Sequence, residues 1–306
     1  MTAQQSKRSN SSFSKPLLMM DICTIGVLKK RDTIPSQTDK RKKIRLAQLT
    51  EIVMSKKYKF SFMLAIIEKG SDVKNQITAE EMTEKFLEDH EIIADMIGRE
   101  NMVEKPEFLR EAIPQFMSSE FSIEERAELN LKKYLEVLAQ YDALKVEVKP
   151  KRQDILPRVK YLADFASTLD IPQGHPVITV CTAAVCGCYD AWGLLKRKRG
   201  VFKATNSLGD IMSFHRIAVV RALIHQYYPD HEIVFRTEDQ ALENMHEYYS
   251  HKAIVQTDGN YKFHLDSLDE SKMFPLLFNE EGEMDCVLQN ALYEMLGFKK
   301  AKKIPV

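Results

Sequence analysis

The chain has 306 residues, of which 44% are hydrophobic and 29% are charged, and its 44 Lys and Arg residues balance its 44 Asp and Glu residues. This is the composition of an ordinary globular protein, and the balanced charge indicates no particular partner. The five cysteines are an odd number without framework spacing. They therefore argue against a disulfide-built secreted domain and favour a reducing compartment.

The apolar stretch nearest the N-terminus, 16–28, is too short to span a bilayer and is interrupted by Asp21. The N-terminal sequence also lacks the pattern of a signal peptide. We therefore expect a cytoplasmic protein without membrane insertion.

Charge is distributed unevenly along the chain. Residues 1–60 carry 14 Lys and Arg against 4 acidic residues, whereas residues 77–147 carry 18 acidic residues against 8 basic ones. These segments could attract one another within one molecule or between copies, or the basic arm could contact an anionic partner such as nucleic acid. A solvated basic arm without a partner is the simpler alternative.

The N-terminal half is predicted to be rich in helices. Residues 1–15 form a disordered arm by composition, because they contain little that could be buried. The region 16–147 then shows helical spacing of apolar residues in several places. One short apolar segment, 58–67, could be either a strand or a buried helical turn.

Two helix starts in this half carry a hydroxyl residue followed three positions later by a carboxylate. Thr78 with Glu81 begins the first, and Ser122 with Glu125 begins the second. This pairing satisfies free backbone amides at a helix N-terminus. It predicts a helix after Thr78 and another at about 123–142.

A linker is predicted at 148–157, within a stretch that has two prolines and four basic residues between 145 and 157. Beyond it, 158–306 alternates helical and strand-like segments, among them a β-branched run at 177–181 and a second run at 232–235. Such alternation is typical of a parallel sheet covered by helices. We therefore predict an α/β fold, with a helix-rich N-terminal half followed by a three-layer α/β domain whose sheet is largely parallel.

Several common catalytic motifs are absent from the sequence. It has neither a glycine-rich phosphate-binding loop nor a G-x-S-x-G nucleophile elbow. His246, Glu247 and His251 resemble the zinc-protease motif, but the two histidines are five positions apart, which separates them by roughly 140° on a helix. Zinc-protease chemistry is therefore excluded.

Three cysteines, Cys181, Cys186 and Cys188, lie close together in the sequence. They lack the paired spacing of a zinc site, and free cysteine commonly acts as a small buried apolar residue. We interpret the cluster as part of the core.

Carboxylates offer a more specific hypothesis. Asp210 lies near the start of an apolar helix, and Glu238 and Asp239 directly follow a strand-like run. At the ends of parallel strands these side chains could converge on a divalent cation. The simpler alternative is that Asp210 and Asp239 cap or charge the N-termini of helices.

The order of an apolar run (VITV), an acid after a small-residue turn (NSLGDI) and a strand running into TEDQAL resembles the PIN-like nuclease family. The resemblance covers about residues 175–260. It implies an α/β fold and metal-dependent cleavage of RNA by clustered acids. It also implies that Asp210 and Asp239 are catalytic, and that Asp210, Asp239 and Asp258 bind Mg²⁺ or Mn²⁺.

The first strand of that family ends in Asp, whereas the VITV run continues into Cys181 and Thr182. A thiol or hydroxyl does not replace a carboxylate as ligand of a hard cation. The sequence therefore favours a noncatalytic protein-interaction module, an adaptor or assembly component on a degenerate α/β scaffold, with another protein as partner and no cofactor. A PIN-like ribonuclease acting on RNA with Mg²⁺ or Mn²⁺ is the alternative.

Overall fold

The computed structural model describes residues 15–72, 76–118, 131–195, 200–256 and 261–298. Most of the described chain is helical, and it contains a small sheet of three parallel strands, so the fold is α/β. Nearly all of the predicted disordered arm, 1–15, lies outside the described residues. The predicted helix start at Ser122 and Glu125 lies outside them as well.

The parallel sheet has the order β2-β1-β3. Its strands are β1 (Leu17–Met20), β2 (Lys59–Ser61) and β3 (Ile233–Arg236). Leu18 of β1 lies opposite Phe60 on one side and Val234 on the other, and every residue of β1 is buried. Because all three strands are parallel, their carboxyl ends lie at one edge of the sheet.

Helices fill the N-terminal half, as predicted. The first of them with a capping box begins after Thr78, where Thr78 and Glu81 exchange hydrogen bonds between side chain and backbone. The capping prediction for Thr78 is therefore confirmed. The helices of this half are α1 (Ile22–Lys29), α2 (Lys40–Met54), α3 (Met63–Gly70), α4 (Ala79–Ile97), α5 (Pro106–Met117) and α6 (Leu131–Ala143).

The second half contains a largely buried helical core. Every residue of one central helix, Pro176–Val185, is buried. A 24-residue helix, Ala204–Tyr227, also contributes to this core. The helices here are α7 (Ile155–Thr168), α8 (Pro176–Val185), α9 (Tyr189–Leu195), α10 (Ala204–Tyr227), α11 (Gln240–Tyr248), α12 (Glu270–Met273) and α13 (Cys286–Leu296).

An antiparallel pair of strands packs against α10. It consists of β4 (Tyr249–Val255) and β5 (Tyr261–Leu268). Ala253 of β4 shares a buried cluster with Ala218 and Val219 of α10. The pair thus covers a face of α10 that would otherwise expose apolar surface.

The prediction of a strand at 177–181 is wrong, because this segment is part of α8. Pro176 occupies the first turn of the helix, and His175 caps it by accepting a hydrogen bond from the backbone N–H of Val177 at 3.2 Å. Pro at this position favours a helix start. Complete burial on all sides then outweighs the preference of β-branched residues for strands.

The parallel sheet is built from both sides of the predicted linker. β1 and β2 precede 148–157 in the chain, and β3 follows it. We had expected the sheet to lie within 158–306 alone, but two of its three strands precede that region. The boundary at 148–157 stays a prediction.

Within the described residues, no single helix is long and apolar enough to cross a membrane, although α8 and α9 pass that test as a pair bent by 117°.

Candidate acidic site

The central strand β1 runs directly into Asp21, which is only 6% exposed. Its carboxylate accepts a hydrogen bond from the backbone N–H of Thr24 at 2.7 Å and so caps α1. The Thr24 hydroxyl donates in turn to the carbonyl oxygen of Arg236 at 3.0 Å. These two bonds fix the start of α1 against the end of β3.

Asp239 follows the neighbouring strand β3. The fully buried Thr237 links the two acids, since its side chain is hydrogen-bonded to that of Asp21 and its oxygen accepts from the backbone N–H of Asp239 at 3.1 Å. The Asp239 carboxylate accepts from the backbone N–H groups of Ala241 at 2.9 Å and Leu242 at 3.2 Å, and so caps α11. The ends of β1 and β3 thus carry one acid each, joined through a single threonine.

Glu68 approaches the same place from α3. Its Oε2 accepts a hydrogen bond from the backbone N–H of Ile22, the residue after Asp21, at 3.4 Å. On its other side, a Cβ atom placed on Gly209 would lie 3.8 Å from the Glu68 Oε1. Glu68 therefore lies between the end of β1 and helix α10.

Asp210 is the residue of α10 that follows Gly209. It lines a cleft of about 380 Å³ together with Glu68 and Asp239. Arg216 supplies positive charge to the same cleft and donates to the backbone oxygen of Gly209 at 3.4 Å. Lys69 also lines it, paired with Asp72 at 3.5 Å. The cleft thus brings together carboxylates from α3, α10 and the end of β3.

Burial and mutual repulsion disfavour the ionised forms of Asp21 and Glu68. Burial raises the pKa of Glu68 to about 7, repulsion from Asp21 adds to the rise, and the positive charge of Arg216 opposes it. Burial also raises the pKa of Asp21, against the hydrogen bonds from Thr237 and Thr24, and Asp239 adds to that rise. A cation bound nearby would offset the repulsion and favour the ionised carboxylates.

The pKa of the Cys23 thiol is influenced by all four carboxylates of the site. Desolvation raises the pKa of its thiol far above the ordinary value, and the charges of Asp21, Asp210, Glu68 and Asp239 add to the rise in that order. All four carboxylates therefore act on a single point one turn from the end of β1.

The donor set suits a hard divalent cation. In the described part of the chain, no three His, Cys, Asp or Glu side chains are already grouped so that they could hold a metal ion. Mg²⁺, however, usually keeps several waters and needs only one or two carboxylates of the protein. The partly buried carboxylates of Glu68, Asp210 and Asp239, with the buried Asp21 behind them, fit that mode of binding.

The predicted site residues can now be placed. Asp210 and Asp239 line the same cleft, as the sequence suggested, whereas Asp258 lies outside the described residues. Asp239 also caps α11, in agreement with the simpler interpretation. Asp210 does not begin a helix, because α10 starts at Ala204.

Sequence reasoning missed Asp21 and Glu68. The signal for Asp21 was the run Leu17–Met20, a short apolar strand that ends in an acid. Glu68 gave no signal, because it lies within an apolar helix and its relation to Asp21 exists only in three dimensions.

The histidine and cysteine interpretations agree with the structure. The three clustered cysteines, Cys181, Cys186 and Cys188, are buried in the core. His246 lies in α11 and His251 in β4, so they do not share a helix.

Comparison of the chain with known protein families, with curated proteins and with solved structures found no match.

Proposed function

We propose that this protein is a PIN-like, metal-dependent ribonuclease. The observation that carries the proposal is the position of Asp21 at the end of the central strand. Thr237 is hydrogen-bonded both to the side chain of Asp21 and to the backbone of Asp239. The backbone N–H of Ile22, the next residue, donates to Glu68. Clustered acids at the carboxyl ends of parallel strands are suited to divalent-cation chemistry on phosphodiesters. A three-layer arrangement of helices around the sheet belongs to the same proposal.

The preference for a noncatalytic module depended on an acid missing after the first strand. The residues that suggested this absence, 177–181, belong to a helix. The strand that begins the sheet is β1, and it is followed by Asp21. The argument from sequence against catalysis therefore no longer applies, but the VITV run no longer supports the resemblance either. The proposal depends on the acids around β1 and β3 instead.

Each acid has a distinct role in the proposal. Asp21 and Asp239 would hold Mg²⁺ or Mn²⁺ from the strand ends, and Glu68 and Asp210 would hold its waters from the facing helices. The bound ion would supply a water of lowered pKa and neutralise charge on the phosphodiester. Thr237 keeps the two strand-end acids in place, and Arg216 favours the ionised form of Glu68.

A second cleft offers a path for the substrate. It has a volume of about 1010 Å³ and shares Cys23 and Asp239 with the acidic cleft. Its walls include exposed basic side chains, Lys30, Arg41 and Lys42, and the ring of Tyr189, which is 68% exposed. Basic side chains that contact phosphates and an aromatic ring that stacks on a base are features of proteins that bind single strands.

Two carboxylates in this second cleft already have hydrogen-bond partners. Asp39 caps α2 by accepting from the backbone N–H of Arg41 at 3.0 Å and of Lys42 at 3.2 Å. Asp190 accepts from Asn244 at 3.2 Å and from Tyr248 at 3.1 Å. These hydrogen bonds fix both carboxylates in position but do not neutralise their charge, so the basic side chains are the groups that would attract RNA.

The test is Mn²⁺-dependent cleavage of labelled single-stranded RNA by the purified chain, compared with Asp21→Asn and Asp239→Asn variants. Asn is as good a helix cap as Asp, so both variants should fold. We expect each variant to lose activity by roughly a hundredfold or more, and Asp230→Asn, at an exposed position, to keep it. Absence of cleavage by the wild type would reject the nuclease and return the interaction module as the leading proposal.

A further inference from the structure

A separate cavity of about 660 Å³ lies at the N-terminus of α8, next to the β4–β5 pair and the end of α13. It shares no lining residue with the acidic cleft. Three histidines line it. His215 and His251 are buried, and His175 is partly buried with its Nε2 inaccessible to solvent. The proposed nuclease makes no use of them.

His175 presents a hydrogen-bond donor that has no acceptor. Its Nδ1 accepts from the backbone N–H of Val177 at 3.2 Å, so a neutral ring carries its proton on Nε2. Burial, and then the nearby His215 and His251, hold the pKa of His175 well below its ordinary value, which keeps the ring neutral. Its Nε2 is buried and has no partner among the described residues. Because a buried polar group without a partner is costly, this donor requires an oxygen acceptor from a water or a bound molecule.

The charges around the cavity favour an anion. Lys133 and Lys262 line it, against Asp170 as the carboxylate among the described lining residues. The N-terminus of α8, a helix of ten residues, faces it through His175 and Pro176. The first-turn N–H groups of α8 are bonded to His175, so the helix attracts an oxyanion only through the positive end of its dipole.

The size and the aromatic lining favour an organic molecule over a bare ion. The ring of Tyr134 stacks on His175 with a centroid distance of 4.2 Å, and Phe263 lies 4.4 Å from His215. A cavity of about 660 Å³ is within the range of small-molecule sites. Aromatic rings on its walls can pack against the body of such a molecule.

We propose that this cavity binds a small organic phosphate, whose phosphate oxygens accept from the Nε2–H of His175 and lie close to Lys133 and Lys262. The site is independent of the acidic cleft and of the proposed nuclease activity.

The experiment is calorimetric titration of the full chain with AMP and with ribose 5-phosphate at pH 7.5 in EDTA, with adenosine as the uncharged control. A His175→Asn variant removes the Nε2–H donor, while Asn can still cap α8, so its thermal unfolding should stay close to that of the wild type. We expect at least one of the two phosphates to bind at least roughly tenfold more tightly than adenosine. His175→Asn and Lys133→Gln should each weaken that binding by a similar factor.

Two matched variants separate this site from other sources of binding. Lys149→Gln removes an exposed lysine that does not line the cavity, and Asp21→Asn alters the acidic site, so both should bind as the wild type does. Binding of neither phosphate more tightly than adenosine, or equal binding by His175→Asn and the wild type, would overturn the proposal.

Discussion

Glu68 accepts a hydrogen bond from the backbone N–H of Ile22 at 3.4 Å, which places its carboxylate beside the residue that follows Asp21. The two acids are 47 positions apart in the sequence and lie on different elements. Burial and the proximity of Asp21 raise the pKa of Glu68 to about 7. The fold therefore holds two acids whose ionised forms are unfavourable because of burial and mutual repulsion. Such perturbed pKa values are typical of functional sites.

The unfavourable ionisation of Glu68 should lower the free energy of unfolding of the protein. The folded-state pKa of Glu68, about 7, is above its ordinary value of 4.5, so its unfavourable contribution grows as the pH rises through this interval. Glu68→Gln should stabilise the protein by about 2 kcal/mol at pH 8 and have little effect at pH 4.5. Urea unfolding at both pH values measures this difference.

The matched control for Glu68→Gln is Glu84→Gln, at an exposed position of α4. It should change the free energy of unfolding little at either pH. A destabilised Glu68→Gln protein at pH 8 would show that the carboxylate is favourable as it stands, contrary to our account.

Cys23 should report on the charge of the acidic site. Desolvation and then the four carboxylates raise its thiol pKa, so an alkylating reagent should modify it more slowly than it modifies the other exposed cysteine, Cys286. Asp21→Asn removes one of the repelling charges and should accelerate the modification of Cys23 severalfold. Peptide mapping after timed alkylation measures both rates, and equal rates in the wild type and the variant would show that Asp21 has no influence there.

Tyr189 should contribute to RNA binding through its ring. Tyr189→Ala should weaken the binding of a single-stranded RNA by about tenfold in EDTA, because stacking on one base contributes about 1–3 kcal/mol. Tyr189→Phe keeps the ring and should bind nearly as the wild type does. Fluorescence anisotropy with a labelled oligonucleotide decides between them, and equal loss in both variants would exclude stacking as the cause.

Removal of basic side chains from the same cleft should act through charge. The double variant Arg41→Gln, Lys42→Gln should reduce the slope of log affinity against log salt by about 1.4, the value for two phosphate contacts on a single strand. Lys149→Gln, Lys151→Gln removes two exposed lysines elsewhere and should leave the slope unchanged. A slope that does not change in the Arg41 and Lys42 variant would remove this cleft as the path of the RNA.

His251 should make the protein sensitive to acid. Burial lowers its pKa to about 4, below the 6.5 of an ordinary histidine, so the unfolded chain takes up the proton first and stability is lost as the pH falls below about 6.5. Between pH 7.5 and pH 5 this single group should cost about 2 kcal/mol. His251→Gln should reduce the pH dependence of the unfolding free energy by that amount in urea titrations, whereas His264→Gln, at an exposed position of β5, should not. An unchanged pH dependence in His251→Gln would contradict this assignment.

Local signals predicted part of the fold well. The exchange of hydrogen bonds between Thr78 and Glu81 and the cap of α11 by Asp239 depend on residues three or fewer positions apart, so the sequence contains them directly. The strand β3 and the long helix α10 were also expected near their observed positions.

The strand β1 was not predicted from the sequence, for a physical reason. β1 has four residues without polar alternation, because it lies between two parallel neighbours and is buried throughout. The opposite error occurred at α8, whose β-branched residues read as a strand although burial on all sides stabilises a helix. The acidic site depends on both segments, so only the three-dimensional arrangement brought Asp21 and Glu68 into it.

The most direct test of the acidic site is anomalous diffraction from crystals of the protein soaked in Mn²⁺ at pH 8, where Glu68 is ionised. Our account predicts an anomalous peak in the cleft lined by Glu68, Asp210 and Asp239, beside the end of β1, and its loss in Asp21→Asn crystals. Fully soaked crystals with no peak there, or a peak that persists unchanged in Asp21→Asn, would contradict it.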